Sequence, residues 1–178
     1  MKPNRIILID ADVVSHFIVG EEILYLPKIF PFPIKILDKV YAELQRFKKK
    51  KTHVDNLIEY KLLELLPFPE DNPEIKKEYF SIKSLQFRGD GESACMAVAK
   101  YQNHILASSN LKDIKHYCSL HGIDYLTTMD FLCEAKDSGL FSIQRCNDFI
   151  SKVLSSCGKL PHRSMEEHQC RKLDFYKG

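Results

Sequence analysis

An α/β domain with a central, mostly parallel sheet is the fold class that the sequence predicts. Short apolar runs alternate with stretches whose apolar residues recur at helical spacing, the pattern of strand–helix units laid side by side. Most of the helical stretches open on a residue able to cap them. The 178 residues suit one domain with its own core, and 44% hydrophobic with 28% charged residues is ordinary for a globular chain. No apolar run nears the roughly 20 residues needed to span a bilayer, so no membrane role is expected.

Residues 6–9 form the first expected strand, which runs into Asp10 and Asp12 before a helix from near Val13. Residues 34–37 form the second, after which Asp38 caps "KVYAELQRF", where Val40, Leu44 and Phe47 make an apolar stripe. Between 51 and 88 the pattern is helical but less regular, and "PFPEDNP" separates "NLIEYKLLELL" from "EIKKEYFSI", which reads as two helices around the α/β core. Asp90 then caps "GESACMAVAKY", residues 105–107 form the next strand, and Asn110 caps "LKDIKHYC". A strand over 124–126 leads to Thr127, which with Asp130 resembles a capping box before "FLCEA". The last expected strand is 141–144, followed by Asn147 as the cap of "DFISKVL". Residues 1–153 thus make the domain, and 154–178 lose apolar periodicity and read as a loosely ordered tail.

Six cysteines are scattered with no CxxC pair, which fits reduced thiols, a cytoplasmic location and no disulfide framework. The opening "MKPNRIILID" lacks the long apolar core and small-residue cleavage site of an export signal. A net charge of +2 is too small to announce nucleic acid, but it hides a basic run, Lys48, Lys49, Lys50 and Lys51, with Arg46 and His53 nearby. That run either contacts nucleic-acid phosphates or simply suits the negative end of the preceding helix. Cys157, His162, His168 and Cys170 are zinc-type residues whose C-x4-H-x5-H-x-C spacing matches no familiar finger. His116, Cys118 and His121 read as a core thiol between surface histidines, and "EEILYLPKIFPFP" as either a docking or dimer surface or a buried core segment.

The acidic residues carry the functional signal. In open α/β sheets ligands sit at the carboxyl ends of strands, where Asp10 and Asp12 lie; either could also be a helix cap, but one cap does not need two carboxylates. Glu43, Asp90, Glu92 and Asp113 recur at comparable places after later strands. Brought together they would repel one another unless a cation neutralised them, so their convergence implies a hard divalent ion such as Mg²⁺ or Mn²⁺. Each also has a local explanation: a solvated helix face for Glu43, the positive helix start for Glu92, a capping arrangement with Asn110 for Asp113.

Together "LIDADVV", "VYAEL", "GDGESACMAVAK", "ILASSNLKDI" and "GIDYLTTMDFLCEAKDSGLF" resemble the PIN-domain family of metal-dependent ribonucleases, which includes the toxin components of toxin–antitoxin systems. The match covers nearly all of the chain up to about Val153. It implies a PIN-like three-layer fold, a central mostly parallel sheet flanked by helices. It also implies an endoribonuclease that hydrolyses RNA phosphodiester bonds with Mg²⁺ or Mn²⁺ held by Asp10, Glu43, Glu92 and Asp113. Asp12, Asp90, Ser109 and Asn110 are the supporting residues; Asp12 falls where the family commonly has Ser or Asn. A separate antitoxin-type inhibitor and a homodimer are partners that the resemblance brings with it. The departure is "SSN": family members often have aspartate where this chain has Ser109 and Asn110. Either Asp113, about one turn further on, replaces the missing carboxylate, or the site is incomplete and the chain is an RNA-binding or scaffold protein. A third class, with Asp10 as a phosphoryl acceptor, lacks the late lysine and second strand-end aspartate it would need.

Overall fold

The computed structural model describes residues 4–86 and 89–176. Among these, five parallel strands form one sheet. The central strand β1 (Ile7–Ile9) is fully buried, as its unbroken apolar run requires. It lies between β2 (Ile34–Leu37) and β4 (Ile105–Ala107), with Ile7 opposite both Ile34 and Ile105. The chain builds outward from β1 to β2 and β3 (Glu64–Leu66), then crosses back to β4 and β5 (Tyr125–Leu126) on the other side. Strand order therefore reverses at the carboxyl ends of β1 and β4, where such sheets open a crevice.

Helices flank the sheet. On β1 follows α1 (Ala11–Val19), and on β2 follows α3 (Asp38–Gln45). The long return to β4 carries α4 (Lys48–Glu59), α5 (Pro73–Gln86) and α6 (Asp90–Gln102), with α6 packed against both α3 and α5. After β4 come α7 (Leu111–His121), α8 (Thr128–Asp137) and α9 (Ile143–Ser155). Phe17 of α1 meets Phe131 of α8 and Phe149 of α9 edge-on at 5.7 and 4.9 Å. That packing needs Gly20, because a Cβ there would stand 2.2 Å from the Phe149 ring. "EEILYLPKIFPFP" turns out to be core: Ile23, Leu26, Ile29 and Phe30 are buried, and Leu26–Ile29 form the short helix α2.

Several local expectations are corrected. Residues 141–144 are not a strand; Ser142 caps α9 by accepting the Arg145 amide hydrogen, and Cys146, Phe149, Ile150 and Val153 give that helix its buried stripe. The fifth strand is instead β3 inside "LLELL", a short, largely exposed edge whose few residues are too brief to show alternation. Asn147 lies inside α9, where its side chain accepts the Met165 amide hydrogen at 2.8 Å and donates to Glu166. Asp38 and Asp90 each sit one residue inside their helices, the caps being Leu37 and Gly89, whereas the Thr127–Asp130 capping box forms as expected.

The segment after α9 makes specific contacts with the rest of the domain as far as residue 176. Besides the Asn147 contacts, Arg171 grips the Asp130 carboxylate with two hydrogen bonds of 2.9 and 2.8 Å, and Tyr176 packs edge-on against Phe30. Cys133 and Cys170 form a disulfide, which overturns the expectation of none; they stand 37 positions apart in sequence, and the returning tail brings them together.

Candidate metal centre

Four carboxylates line one open pocket of ≈ 550 Å³ at the crevice: Asp10, Asp12, Glu43 and Glu92. Asp10 arrives directly from β1, its amide still bonded to the Ala107 carbonyl at 2.8 Å. One of its carboxylate oxygens accepts the Ala11 amide hydrogen, so this residue both caps α1 and lines the pocket. Asp12 accepts from the Val13 amide with one oxygen and from the Ser109 amide with the other, at 2.7 and 2.8 Å. It braces the loop after β4 against the start of α1. Glu43 comes from α3 and accepts the Gly91 amide hydrogen at 2.8 Å, so the start of α6 holds its carboxylate. A Cβ on Gly91 would lie 3.0 Å from Val40 and 3.1 Å from Glu43, which is why glycine stands there. Glu92, one residue on, is buried and lies 3.5 Å from the Asn110 amide nitrogen.

Their mutual field weighs on the ionisation of Asp10. Burial, then the Asp12 charge, push the Asp10 carboxyl well above the usual carboxylate range, with Glu92 and Glu43 adding and the Ala11 amide opposing. Burial also raises Asp12, against hydrogen bonds from Ser109, Val13, Ser108 and Asn110. The buried Cys95 thiol, near the end of β1, is raised by burial and then by all four carboxylates. A buried, oxygen-rich site in which Asp10 and Asp12 resist ionisation suits a hard divalent cation.

The other expected residues are placed differently. Asp113 does not line the pocket; its carboxylate accepts from the Asn110 side-chain amide at 2.5 Å, and that same amide faces Glu92. Asp90 is drawn to α5, where it accepts from the Tyr79 hydroxyl at 2.8 Å and pairs with Lys83. Ser109 and Asn110 both line the pocket. Lys48, Lys49, Lys50 and Lys51 open α4; Lys51 pairs with Asp55, Lys50 lies over the Phe47 ring, and Lys50 is near enough to His16 to bias its protonation.

Sequence reasoning missed four residues. His16 lines the pocket and hydrogen-bonds Thr128 at 2.8 Å, and Thr128 in turn bonds the Ser109 hydroxyl at 2.6 Å. His16 lies one turn after Asp12, a spacing that places both on one helix face and offered a signal. Burial, then Lys50, lower its pKa to about 4. Cys157 and Lys159 reach the pocket from the tail, and nothing local in their sequence marks that.

No protein-family model matches the chain, and no curated protein matches its sequence. Solved structures do. VapBC-1 from nontypeable Haemophilus influenzae aligns at a TM-score of 0.52 and 15% identity, over 70% of this chain and 98% of that one. VapBC2 from Rickettsia felis, solved bound to a DNA fragment from its promoter, aligns at 0.51 and 18%, over 68% and 98%. The chain has the PIN-like α/β fold that its motifs resemble.

Proposed function

We propose that this chain is a Mg²⁺- or Mn²⁺-dependent endoribonuclease that hydrolyses RNA phosphodiester bonds. The observation that carries this reading is the meeting of Asp10, Glu43 and Glu92, from three separate elements, in one acidic pocket. These three are the residues that would hold the ion. When bound, it supplies positive charge for a phosphate oxygen and Lewis acidity toward water.

The chain's own residues do the remaining work. The Gly91 amide holds Glu43 on the pocket wall, and Asp12, with both oxygens accepting amide hydrogens, fixes the loop that carries Ser109 and Asn110. Thr128 and His16 orient the Ser109 hydroxyl, which can then hold water or a phosphate oxygen; at neutral pH His16 is uncharged and does not compete for the carboxylates. Asp113 acts behind Asn110, holding its amide toward Glu92, instead of ligating directly. Lys159 at the pocket, with Lys49 and Lys50 on the neighbouring helix start, contacts the RNA backbone. A separate antitoxin-type inhibitor and a homodimer belong to this reading through the family resemblance, whereas the cytoplasmic expectation rests on reduced cysteines and loses that support with the Cys133–Cys170 disulfide.

A second reading, an RNA-binding or scaffold protein with an incomplete site, is favoured by one observation: Ser109 and Asn110 line the pocket where aspartates are common, while Asp113 stands off it. Incubation of a mixed RNA pool with Mn²⁺ or with chelator separates the two. Nuclease action predicts cleavage that needs Mn²⁺ and falls by at least roughly 10–100-fold in Asp10→Asn and Glu92→Gln. Metal-independent cleavage, or cleavage undiminished in both variants, rejects it, and RNA retention with Mn²⁺ uptake but no cleavage supports the second reading.

A further inference from the structure

Away from the acidic pocket, the tail carries a second set of metal-type donors, and the fold rearranges the one seen in the sequence. Cys157 is exposed at the acidic pocket, whereas Cys170 meets Cys133 on α8, a residue far from the tail in sequence. One donor atom from each of Cys133, His168 and Cys170 lies within 4.8 Å of the others. The His162 ring packs beside that of His168, centroids 5.1 Å apart. His168 Nδ1 is shielded from solvent and has no hydrogen-bond partner among the described residues. Buried polar atoms are nearly always partnered, so an unpartnered nitrogen on an imidazole that brings a donor atom close to both sulfurs calls for a ligand.

We propose that in the reduced chain Cys133, His162, His168 and Cys170 bind one Zn²⁺ ion, and that the disulfide is the oxidised, metal-free form of the same site. Two thiolates and two imidazoles are the donor set of tetrahedral structural zinc. The Cys133 and Cys170 Cα atoms are 5.9 Å apart. Thiolates on one tetrahedral ion, each about 2.3 Å from it, sit about 3.8 Å from one another. Rotation about the side-chain bonds opens the sulfurs to that distance without moving the backbone. The interconversion balances with a small dithiol as reductant: the Cys133–Cys170 bond accepts two electrons and breaks, the dithiol closes its own disulfide, and two thiols form. Their two protons leave when the ion binds.

Either form pins the tail to α8 beside the Arg171–Asp130 pair, and so keeps residues 157 and 159 at the acidic pocket. A reduced chain without metal keeps only the noncovalent contacts. The site shares no ligand with the acidic pocket, and its test does not depend on nuclease activity.

The full chain is expressed in a background carrying Asp10→Asn and Glu92→Gln, so that the acidic pocket does not take up metal, then reduced, desalted anaerobically and loaded with Zn²⁺ alone. Elemental analysis is expected to find about one ion per chain. Co²⁺ loaded in its place should give thiolate-to-cobalt charge-transfer absorption with intense tetrahedral ligand-field bands. Uptake should vanish in Cys133→Ser and Cys170→Ser, fall at least tenfold in affinity in His162→Asn and His168→Asn, and vanish in the air-oxidised chain. Circular dichroism checks that the variants fold, and the Co²⁺ spectrum of the unsubstituted site needs no variant. A reduced chain that exposes both thiols yet takes up no Zn²⁺ and gives no charge-transfer band overturns the proposal. Uptake that survives oxidation or loss of either cysteine overturns it too.

Discussion

One oxygen of Asp10 caps α1 while the residue lines an acidic pocket, so its two sequence readings are compatible. Asparagine caps a helix as well as aspartate but carries no charge. Asp10→Asn is therefore expected to raise the melting temperature of the metal-free protein, because a buried, repelled carboxylate is removed. The same substitution should abolish stabilisation by Mn²⁺, which for the parent chain amounts to about 2.7 kcal/mol at 100 times Kd. Thermal melts with chelator and with Mn²⁺ read both effects; a parent melting temperature that ignores Mn²⁺ counts against the site. His16 gives the pH counterpart. Its pKa is lowered from the ordinary 6.5 to about 4, so the unfolded chain binds the proton first and stability falls as pH drops from about 6.5 to about 4. The full loss is on the order of 3 kcal/mol. Urea titrations across that range should show the slope flatten in His16→Gln, and an unchanged slope would show that some other group titrates there.

At the scale of elements, the crossing of α3 and α6 sets the position of Glu43. Gly91 lets the two helices close until its amide meets the Glu43 carboxylate, and a methyl group would press on Val40 and on Glu43 together. Gly91→Ala is expected to cost about 1–3 kcal/mol in chemical denaturation, since both contacts are tighter than ordinary packing allows. Mn²⁺ affinity should fall roughly tenfold or more as Glu43 is displaced; isothermal titration that finds it intact would mean Glu43 is not a ligand. In the sequence, Asp10 at a strand end and Glu92 at a helix start stand out by local pattern, whereas Glu43, inside α3, is legible only through the family resemblance. The sequence left Asp90 and Asp113 misplaced because their side chains are claimed by groups that the fold supplies: Tyr79 and Lys83 from α5 for Asp90, and the turned amide of Asn110 for Asp113. The strands show the same limit. β1 and β4 are buried apolar runs that announce themselves, whereas β3 is a three-residue edge next to a helix, and "FSIQ" alternates like a strand until Ser142 caps a helix.

Over the whole molecule, a net charge of +2 conceals an acidic pocket that Lys159 lines and whose His16 feels the charge of Lys50 on α4. Four carboxylates repel a polyanion, so under the proposed nuclease reading RNA approach would depend on cations placed around them as well as on the ion they would hold. Lys159 is the cation that the tail brings to the pocket itself, and the tail stays there through the Cys133–Cys170 link, Arg171 on Asp130, and Asn147 on Met165. Each phosphate neutralised on a single strand contributes about 0.7 to the slope of log affinity against log salt. Lys159→Ala should therefore weaken RNA binding uniformly across sequences and lower that slope by about 0.7, while Mn²⁺ affinity is unchanged or slightly higher, since a cation near the carboxylates has gone. Fluorescence anisotropy with labelled RNA over a range of KCl, in Asp10→Asn to prevent cleavage, measures the slope. If it is the same with and without Lys159 but drops in a Lys49→Ala, Lys50→Ala double variant, RNA reaches the pocket along α4 and the tail serves only as a wall.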